Sequence, residues 1–417
     1  MELKYGEGKV SFEIDESKVT ETLLADEKEG VEDPLEAIKE SIKSPIGTDP
    51  LLEVAKRKSP KKVVIIVNDV SRPTPYNYIL PPILEDLHEA GIKKDQITFI
   101  IATGIHDPHT DQQNEEIFGK ELVENYSFKF HNPDEDLVNL GELSSGNTLH
   151  VNKEVVDADM VITTGVILPH YFAGFSGGRK SILPGVAGRD TIQFNHARMV
   201  KLLGNLPPLE ENPVSLEMFE AANKVGVDFI LNIVTNSERE IVKVVAGDLE
   251  EAWYAGTDIS SKMYHVPLKE KTDVAIVSAG GYPRDINIYQ AQKALDHADH
   301  GTKLGGTIIW VAKCQEGLAE EVFENWMYDA QKPEDNVKRI KKQFVIGGHK
   351  AYAISQVACH KEIILVSDLD EDITETLFAK KMDSVQAAID YVEEKYNGDY
   401  NTIVMPQGSL TVPTVDH

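Results

Sequence analysis

The segment KKVVIIVND, residues 61–69, decides the fold class of this chain. It is a run of β-branched residues in which polar and apolar side chains do not alternate, which is typical of a parallel strand buried on both faces. The segment VSRPTP then interrupts regular structure, and YNYILPPILEDLHEAGI has the composition of a helix. A buried strand followed by a loop and a helix predicts an α/β fold.

Two later segments repeat this pattern. QITFIIATG (96–104) ends at IHDPHT, and ADMVITTGVI (158–167) ends at LPHYFAGFSGG. DFILNIVTN and EIVKVVAGD predict two further strands, and a helix is expected after them, at about 249–262. Because ligands of open α/β sheets bind beyond the carboxyl ends of the strands, the three polar loops are predicted to converge on one crevice.

A second set of strands and helices begins at TDVAIVSAGG (272–281). It continues through GTIIWVAK (306–313), EIILVSD (362–368) and TIVMP (402–406), with helical segments between these strands. Alternating strands and helices predict a doubly wound parallel sheet. The charged, Pro-containing segment VPLKEKTD separates the two sets and indicates a domain boundary.

We therefore expect two α/β domains with mainly parallel doubly wound sheets and an active-site cleft between the domains. The N-terminal domain is predicted to span residues 1–265 and the Rossmann-like C-terminal domain residues 272–406. The tail, residues 407–417, is expected to pack back on the N-terminal domain.

Composition excludes several classes of protein. The chain has 69 acidic and 42 basic residues and a formal net charge of −27, which argues against a general nucleic-acid binder. No apolar run approaches the roughly 18 to 20 residues that span a bilayer, and the start MELKYGEGKVSFEI is not a signal segment. Cys314 and Cys359 are far apart in the sequence and indicate no disulfide framework. The sequence predicts a cytoplasmic protein without a membrane partner.

The segment HYFAGFSGGRKSILPG, residues 170–185, is similar to a phosphate-binding loop. It departs from the Walker A pattern because Arg179 separates Gly178 from Lys180. The backbone N–H groups of Ser176, Gly177 and Gly178 are candidates for binding a phosphate, since glycine permits close approach. A purely structural turn is the alternative.

Three histidines accompany this loop. His106 follows the second predicted strand, His170 follows the third, and His196 lies sixteen residues after Lys180. Histidine exchanges protons near neutral pH and is a common metal ligand. Each histidine alone is compatible with a structural role, but their grouping at one predicted crevice indicates a catalytic or metal-binding site.

Charged and polar residues elsewhere complete the candidate set. Asp69 and Arg72 follow the first strand, where Arg72 either grips a carboxylate or phosphate or forms an ion pair that fixes the loop. Gln290 and Lys293 share one face of a predicted helix, beside Tyr289. This face either binds substrate or is simply exposed.

Together, NDVSRPTP, ATGIHDPHT, HYFAGFSGGRKSILPG, FNHARM and YQAQKAL resemble the nickel-pincer-dependent lactate racemases and related 2-hydroxyacid racemases and epimerases. The resemblance covers nearly the whole chain, and the spacing of His170, Lys180 and His196 is its most specific part.

The resemblance implies a cofactor and a role for each residue. The cofactor is the nickel-pincer nucleotide, nickel pyridinium-3-thioamide-5-thiocarboxylic acid mononucleotide, attached covalently at Lys180 and supplied by cofactor-biosynthesis proteins. His196 is the implied nickel ligand, and His106 and His170 are the implied acid/base pair. Cofactor binding is expected from Asp69, Ser176, Gly177 and Gly178, and substrate binding from Arg72, Tyr289, Gln290 and Lys293. The implied reaction is inversion of a 2-hydroxy acid by hydride transfer.

Departures from the family pattern leave the substrate open. Asn68 precedes Asp69 where relatives often have two acids, and Asp107 stands where an arginine commonly follows the histidine. Two other functions are also considered: a zinc hydrolase with His106, His109 and His170 near Asp69, and a non-catalytic nucleotide-binding protein that uses GFSGG.

Overall fold

The computed structural model describes residues 1–202 and 207–415, which form two α/β units. The N-terminal unit comprises residues 27–199 and 207–261. The C-terminal unit comprises residues 1–26, 200–202 and 262–415.

The strands are, in chain order, β1 (Glu2–Tyr5), β2 (Gly8–Ser11), β3 (Val19–Thr22), β4 (Val63–Asn68), β5 (Ile97–Ala102), β6 (Ser127–Phe130), β7 (Leu137–Glu142), β8 (Thr148–Asn152), β9 (Met160–Val166), β10 (Pro169–His170), β11 (Gly174–Phe175), β12 (Phe229–Thr235), β13 (Ile241–Gly247), β14 (His265–Leu268), β15 (Thr272–Ser278), β16 (Thr302–Val311), β17 (Glu362–Val366), β18 (Ala379–Met382), β19 (Thr402–Met405) and β20 (Val412–Val415). The helices are α1 (Pro34–Lys43), α2 (Leu51–Lys58), α3 (Tyr76–Glu89), α4 (Asp111–Phe118), α5 (Lys120–Asn125), α6 (Lys153–Val156), α7 (Arg189–Ala197), α8 (Pro213–Val225), α9 (Glu251–Tyr264), α10 (Ile288–Gly301), α11 (Glu321–Asp329), α12 (Pro333–Lys342), α13 (Gly348–Ala358), α14 (Glu371–Thr376) and α15 (Val385–Lys395).

The main sheet of the N-terminal unit has the strand order β13-β12-β9-β4-β5-β6. All neighbours are parallel except β12 and β13, which form an antiparallel pair at one edge. Every residue of β9 is buried, as are the first five residues of β4. This burial explains the unbroken apolar composition of both strands.

The loops that carry the candidate residues follow adjacent parallel strands. Because β9, β4 and β5 are neighbours, the loops that begin after Asn68, Ala102 and Val166 all leave the same edge of the sheet. The three polar loops therefore lie at one edge of this sheet, and the crevice expected there stays a prediction.

The main sheet of the C-terminal unit has the order β18-β17-β16-β15-β19-β3 and is parallel throughout. The predicted α/β class with mainly parallel sheets is confirmed in both units. Among the described residues, no helix has the length and apolarity to cross a bilayer.

The division of the chain differs from the expected boundary at the start of the chain. Residues 1–26 lie in the C-terminal unit, because β3 hydrogen bonds with β19 at the edge of that unit's sheet. Leu3 and Phe12, from the β1–β2 hairpin region, are also buried in the same core as Val385 and Ile389 of α15. These short strands lack the apolar runs that identified the central strands.

The tail also differs from its expected position. Within residues 407–415, β20 pairs in parallel with β14, which belongs to the C-terminal unit. The tail was expected to pack on the N-terminal domain, and its last two residues, 416 and 417, lie outside the described part of the chain.

Candidate active site

The Phe172 side chain lies among three of the predicted site residues: Lys180, His170 and His196. Its buried ring is 5.5 Å from Lys180 Nζ, measured to the ring centroid. The rings of His170 and His196 meet it edge to face, with centroid distances of 4.5 and 4.9 Å. The spacing of these three residues in the sequence therefore reflects one cluster, and Phe172 is a member that sequence reasoning missed.

Local backbone geometry positions the members of this cluster. His170 lies in β10, which pairs with β11 so that His170 is opposite Gly174. Lys180 lies in a short 3₁₀ turn, Gly178–Ser181, which follows directly on Gly177. Gly177 and Gly178 have φ angles of +77° and +51°, a region that favours glycine. His196 lies in the last turn of α7.

The His196 imidazole is partly buried and neutral, and its Nδ1 atom is enclosed. Burial lowers the pKa of His196 to about 3, and the positive charge of Lys180 contributes to this shift. A weak interaction with the Ile192 carbonyl, one turn earlier, opposes this shift. Among the described residues, the enclosed Nδ1 has no hydrogen-bond partner of normal geometry. Because buried polar atoms are normally hydrogen bonded, this unsatisfied nitrogen requires an explanation.

Asp69 and His106 form a second cluster on the loops after β4 and β5. His106 Nδ1 lies 2.5 Å from Asp69 Oδ2. Ser71 Oγ donates to the other carboxylate oxygen of Asp69 at 2.6 Å. Burial acts to raise the pKa of Asp69, but hydrogen bonds from His106 and Ser71 and the charge of Arg72 outweigh it and hold the pKa below its usual value.

This geometry sets the tautomer of His106. Because Asp69 is ionised near neutral pH, it accepts a hydrogen bond from the Nδ1–H of His106. The second ring nitrogen, Nε2, is then the proton acceptor of a neutral imidazole. The ring is 52% exposed, so its outer edge is accessible to a small molecule.

Arg72 is exposed and is held by its neighbour. Its Nη1 donates to the carbonyl and hydroxyl oxygens of Ser71 at 3.1 and 3.2 Å. Within the described residues it forms no salt bridge shorter than 4.0 Å, so the alternative of a loop-fixing ion pair is not observed. Its guanidinium keeps donors for an added anion.

His109 has a structural role. Its Nε2 accepts a hydrogen bond from the Val70 N–H at 2.8 Å, and its Nδ1 donates to Asn114 Oδ1 at 3.0 Å. Both ring nitrogens are therefore used, which removes His109 from the zinc-hydrolase alternative. No group of three His, Cys, Asp or Glu side chains able to hold a metal occurs in the described ranges.

The glycine-rich loop differs from the expected phosphate cradle. The Ser176 N–H donates to the Leu168 carbonyl at 2.9 Å, and the Gly178 N–H donates to Asn232 Oδ1 at 2.9 Å. These two N–H groups are therefore already used and do not form the expected phosphate cradle. Gly177 has a packing role, since an added Cβ would lie 2.8 Å from Ile167 Cγ1.

Tyr289, Gln290 and Lys293 all lie on α10 of the C-terminal unit. The Tyr289 ring packs edge to face on Phe323 at 5.9 Å, and Gln290 is exposed in the first turn of the helix. Their predicted role beside the residues of the N-terminal unit stays a prediction.

Comparison with known proteins identifies the family. A model of the lactate racemase N-terminal domain matches residues 5–203, and one of the C-terminal domain matches residues 268–412. The lactate racemase of Thermoanaerobacterium thermosaccharolyticum is 33% identical over 420 residues, which cover 98% of this chain and 97% of that protein. The chain belongs to the lactate racemase family. The resemblance expected from the sequence is confirmed.

Other relatives of this lactate racemase family member agree with the assignment. The lactate racemase of Lactiplantibacillus plantarum is 33% identical over 387 residues, or 89% of each chain. The apoprotein structure of the T. thermosaccharolyticum lactate racemase superposes with a TM-score of 0.93 at 32% identity and covers 99% of both chains. A Thermotoga maritima protein of 18% identity shares the fold, with a TM-score of 0.65 over 88% of this chain and 98% of its own.

Membership in the lactate racemase family also confirms the expected class of enzyme. The chain is an isomerase of the racemase type with a small-molecule substrate.

Proposed function

We propose that this member of the family racemises lactate or a closely similar 2-hydroxy acid, with a nickel-pincer nucleotide attached to Lys180. The observation that carries the proposal is the grouping of Lys180, His170 and His196 around the Phe172 ring. The names of the two curated relatives make lactate the first substrate to test. The proposal includes a cytoplasmic location and dependence on proteins that make the cofactor.

The residues of the site fit this cofactor. A neutral imidazole is a suitable nickel ligand. The partly buried His196 ring stays neutral, and its enclosed Nδ1 has no hydrogen bond of normal geometry within the described chain. No described cluster of side chains could hold a metal alone, so a metal here needs most of its ligands from a bound group. Lys180 supplies the amine for covalent attachment. When bound, the cofactor supplies a reversible acceptor for the hydride on C2 of the substrate.

His106 is suited to remove the hydroxyl proton of one enantiomer. Asp69 fixes the Nδ1–H of His106, so that Nε2 accepts the proton. The ionised carboxylate also stabilises the imidazolium that results.

His170 is suited to the other enantiomer. Its ring is held in place by stacking on Tyr171, at a centroid distance of 5.2 Å, and by the edge contact with Phe172. The contact from the Ala173 N–H to His170 Nδ1 is 3.4 Å, which is too long to fix the tautomer. Its position beside Phe172, close to Lys180, is the reason for assigning His170 to the second enantiomer.

Arg72 is the proposed partner of the substrate carboxylate. It is exposed beside the Asp69–His106 pair, and its planar guanidinium matches a carboxylate with two parallel hydrogen bonds. Asp107, also exposed, follows His106 where relatives commonly have an arginine. We propose that this acid changes the preference for the substrate side chain, while the 2-hydroxy carboxylate is still bound by Arg72.

Two measurements test the function. Protein made together with the cofactor-biosynthesis proteins is expected to show a covalent adduct by intact mass spectrometry, and Lys180→Ala is expected to abolish it. Lys56→Ala, at an exposed lysine of α2, is the matched control and should retain the adduct. An adduct that persists in Lys180→Ala contradicts the attachment site.

The second measurement is a substrate panel. Enantiopure lactate, malate, phenyllactate and sugar acids are incubated with adduct-bearing protein, and inversion is followed by chiral chromatography. Inversion of at least one 2-hydroxy acid is expected, with lactate as the first candidate. Absence of inversion across the whole panel, with the adduct present, contradicts the proposed reaction.

A further inference from the structure

Arg179 is a fully buried cation directly before Lys180 in the chain. Its Nη2 donates to the Ala173 carbonyl at 2.8 Å, and its Nη1 donates to the Phe175 carbonyl at 3.1 Å. Nε and Nη2 also donate to Ser215 Oγ, at 3.2 and 2.9 Å. All three nitrogens of the guanidinium are therefore hydrogen bonded.

The charge of Arg179 is not balanced by a carboxylate. No Asp or Glu of the described chain lies within 4.0 Å of it, and burial lowers its pKa well below the usual value. The guanidinium instead lies over the Trp253 ring, 3.7 Å from the centroid. Burying an unpaired charge opposes folding, so a residue retained at such a cost has a role that an apolar side chain does not fill.

The loop from Ala173 to Gly177 folds around this guanidinium. The carbonyls of alternate residues, at positions 173, 175 and 177, are directed to Arg179, the last at 3.5 Å. Trp253 also holds this loop, since its Nε1 donates to the Ser176 carbonyl at 2.9 Å. The guanidinium thus sets the conformation of the loop that ends at Lys180.

We propose that Arg179 is a positioning residue for Lys180: its planar group holds the loop carbonyls so that the Lys180 amine is kept beside Phe172. Arginine is required because its planar guanidinium donates hydrogen bonds to several acceptors at once. A lysine ammonium is compact and cannot reach the same acceptors in one plane. The inference rests on the proposed function only in that Lys180 is taken as the attachment site.

The first test uses the apoprotein and needs no cofactor. Amines are acetylated with a limiting amount of acetic anhydride, and modification of Lys180 is compared by peptide mass spectrometry with that of the exposed Lys56. Half-buried Lys180 should react more slowly than Lys56 in the wild type. Arg179→Met is expected to raise the ratio of Lys180 to Lys56 modification by about threefold or more, because the loop opens locally.

Matched variants separate positioning from loss of stability. Arg179→Lys keeps a positive charge but not the planar guanidinium. It should also raise the ratio of Lys180 to Lys56 modification, by less than Arg179→Met does. Ser215→Ala removes the acceptor on α8 but leaves the loop carbonyls bound, so it should lower the melting temperature while the labelling ratio stays at the wild-type value. An unchanged ratio in folded Arg179→Met and Arg179→Lys overturns the proposal.

The second test measures adduct formation. At a temperature where circular dichroism shows native protein, Arg179→Met should carry the covalent adduct in a fraction about tenfold lower than the wild type, whereas Ser215→Ala should match the wild type. Full adduct formation in Arg179→Met makes Arg179 a structural residue only. If the wild type itself lacks an adduct, the proposed function fails, and the labelling ratio alone still decides the role of Arg179.

Discussion

The Nδ1 atom of His106 and the Oδ2 atom of Asp69 lie 2.5 Å apart, although they are 37 residues apart in sequence. The loops after two neighbouring parallel strands, β4 and β5, bring them together. The pair joins a buried carboxylate, 4% exposed, to a half-exposed imidazole. The Asp69 carboxylate thus orients His106 as a general base and leaves the Nε2 atom of His106 accessible.

Asp69→Asn is expected to lower turnover by roughly 10²- to 10⁴-fold, because the amide no longer fixes the tautomer of His106 or stabilises its imidazolium. Turnover is measured on protein whose adduct fraction equals that of the wild type by mass spectrometry. Asp111→Asn, at the exposed start of α4, is the control and should keep wild-type turnover. Wild-type turnover in loaded Asp69→Asn would show that His106 acts without this carboxylate.

Phe172→Leu is expected to lower turnover by about tenfold or more, since the removed ring contacts His170, Lys180 and His196 and small displacements at a reacting centre are costly. The variant should still fold, because leucine is apolar and fills most of the space of the phenylalanine side chain. The comparison is Phe194→Leu, at a side chain of α7 that is 44% exposed. Equal turnover in the two variants would mean that Phe172 only fills space.

The features that the sequence predicted are those with a local signal. Unbroken apolar runs identified the central strands, and the order of strands and loops placed Asp69, His106 and His170 at one edge. The roles of Arg179 and Ser176 were not predictable, because they depend on Ser215 and Trp253, far along the chain. Similarly, the position of β3 is determined by pairing with β19 near the other end of the chain, which leaves no local pattern.

Gly178→Ala is expected to destabilise the protein for two reasons. An L-residue at φ +51° costs roughly 1–2 kcal/mol. An added Cβ would also lie 2.7 Å from Trp253 Cδ1, and overpacking of this kind costs a further ~1–3 kcal/mol. Gly226→Ala, at the end of α8 with φ +83°, isolates the backbone part, since its Cβ would meet nothing within 4 Å. The free energy of unfolding is measured in urea. Equal losses in Gly178→Ala and Gly226→Ala would contradict the contact with Trp253.

The buried His131 makes stability depend on pH. Its Nε2 is 2.8 Å from the Ala187 carbonyl oxygen, and burial lowers its pKa from 6.5 to about 4. Since the unfolded chain binds the proton more readily, the contribution of neutral His131 is complete above pH 6.5 and is lost as the pH falls from 6.5 to about 4.

Replacing His131 by a side chain that does not titrate should therefore make the free energy of unfolding depend less on pH below pH 6.5. Between pH 7 and pH 5 the free energy of unfolding of the wild type should fall by roughly 2 kcal/mol more than that of His131→Gln. Glutamine keeps a donor for the Ala187 carbonyl, so the two proteins should differ less at pH 7 than at pH 5. His150→Gln is the control. If the free energy of unfolding falls equally with pH in the wild type and in His131→Gln, His131 is not buried as a neutral group.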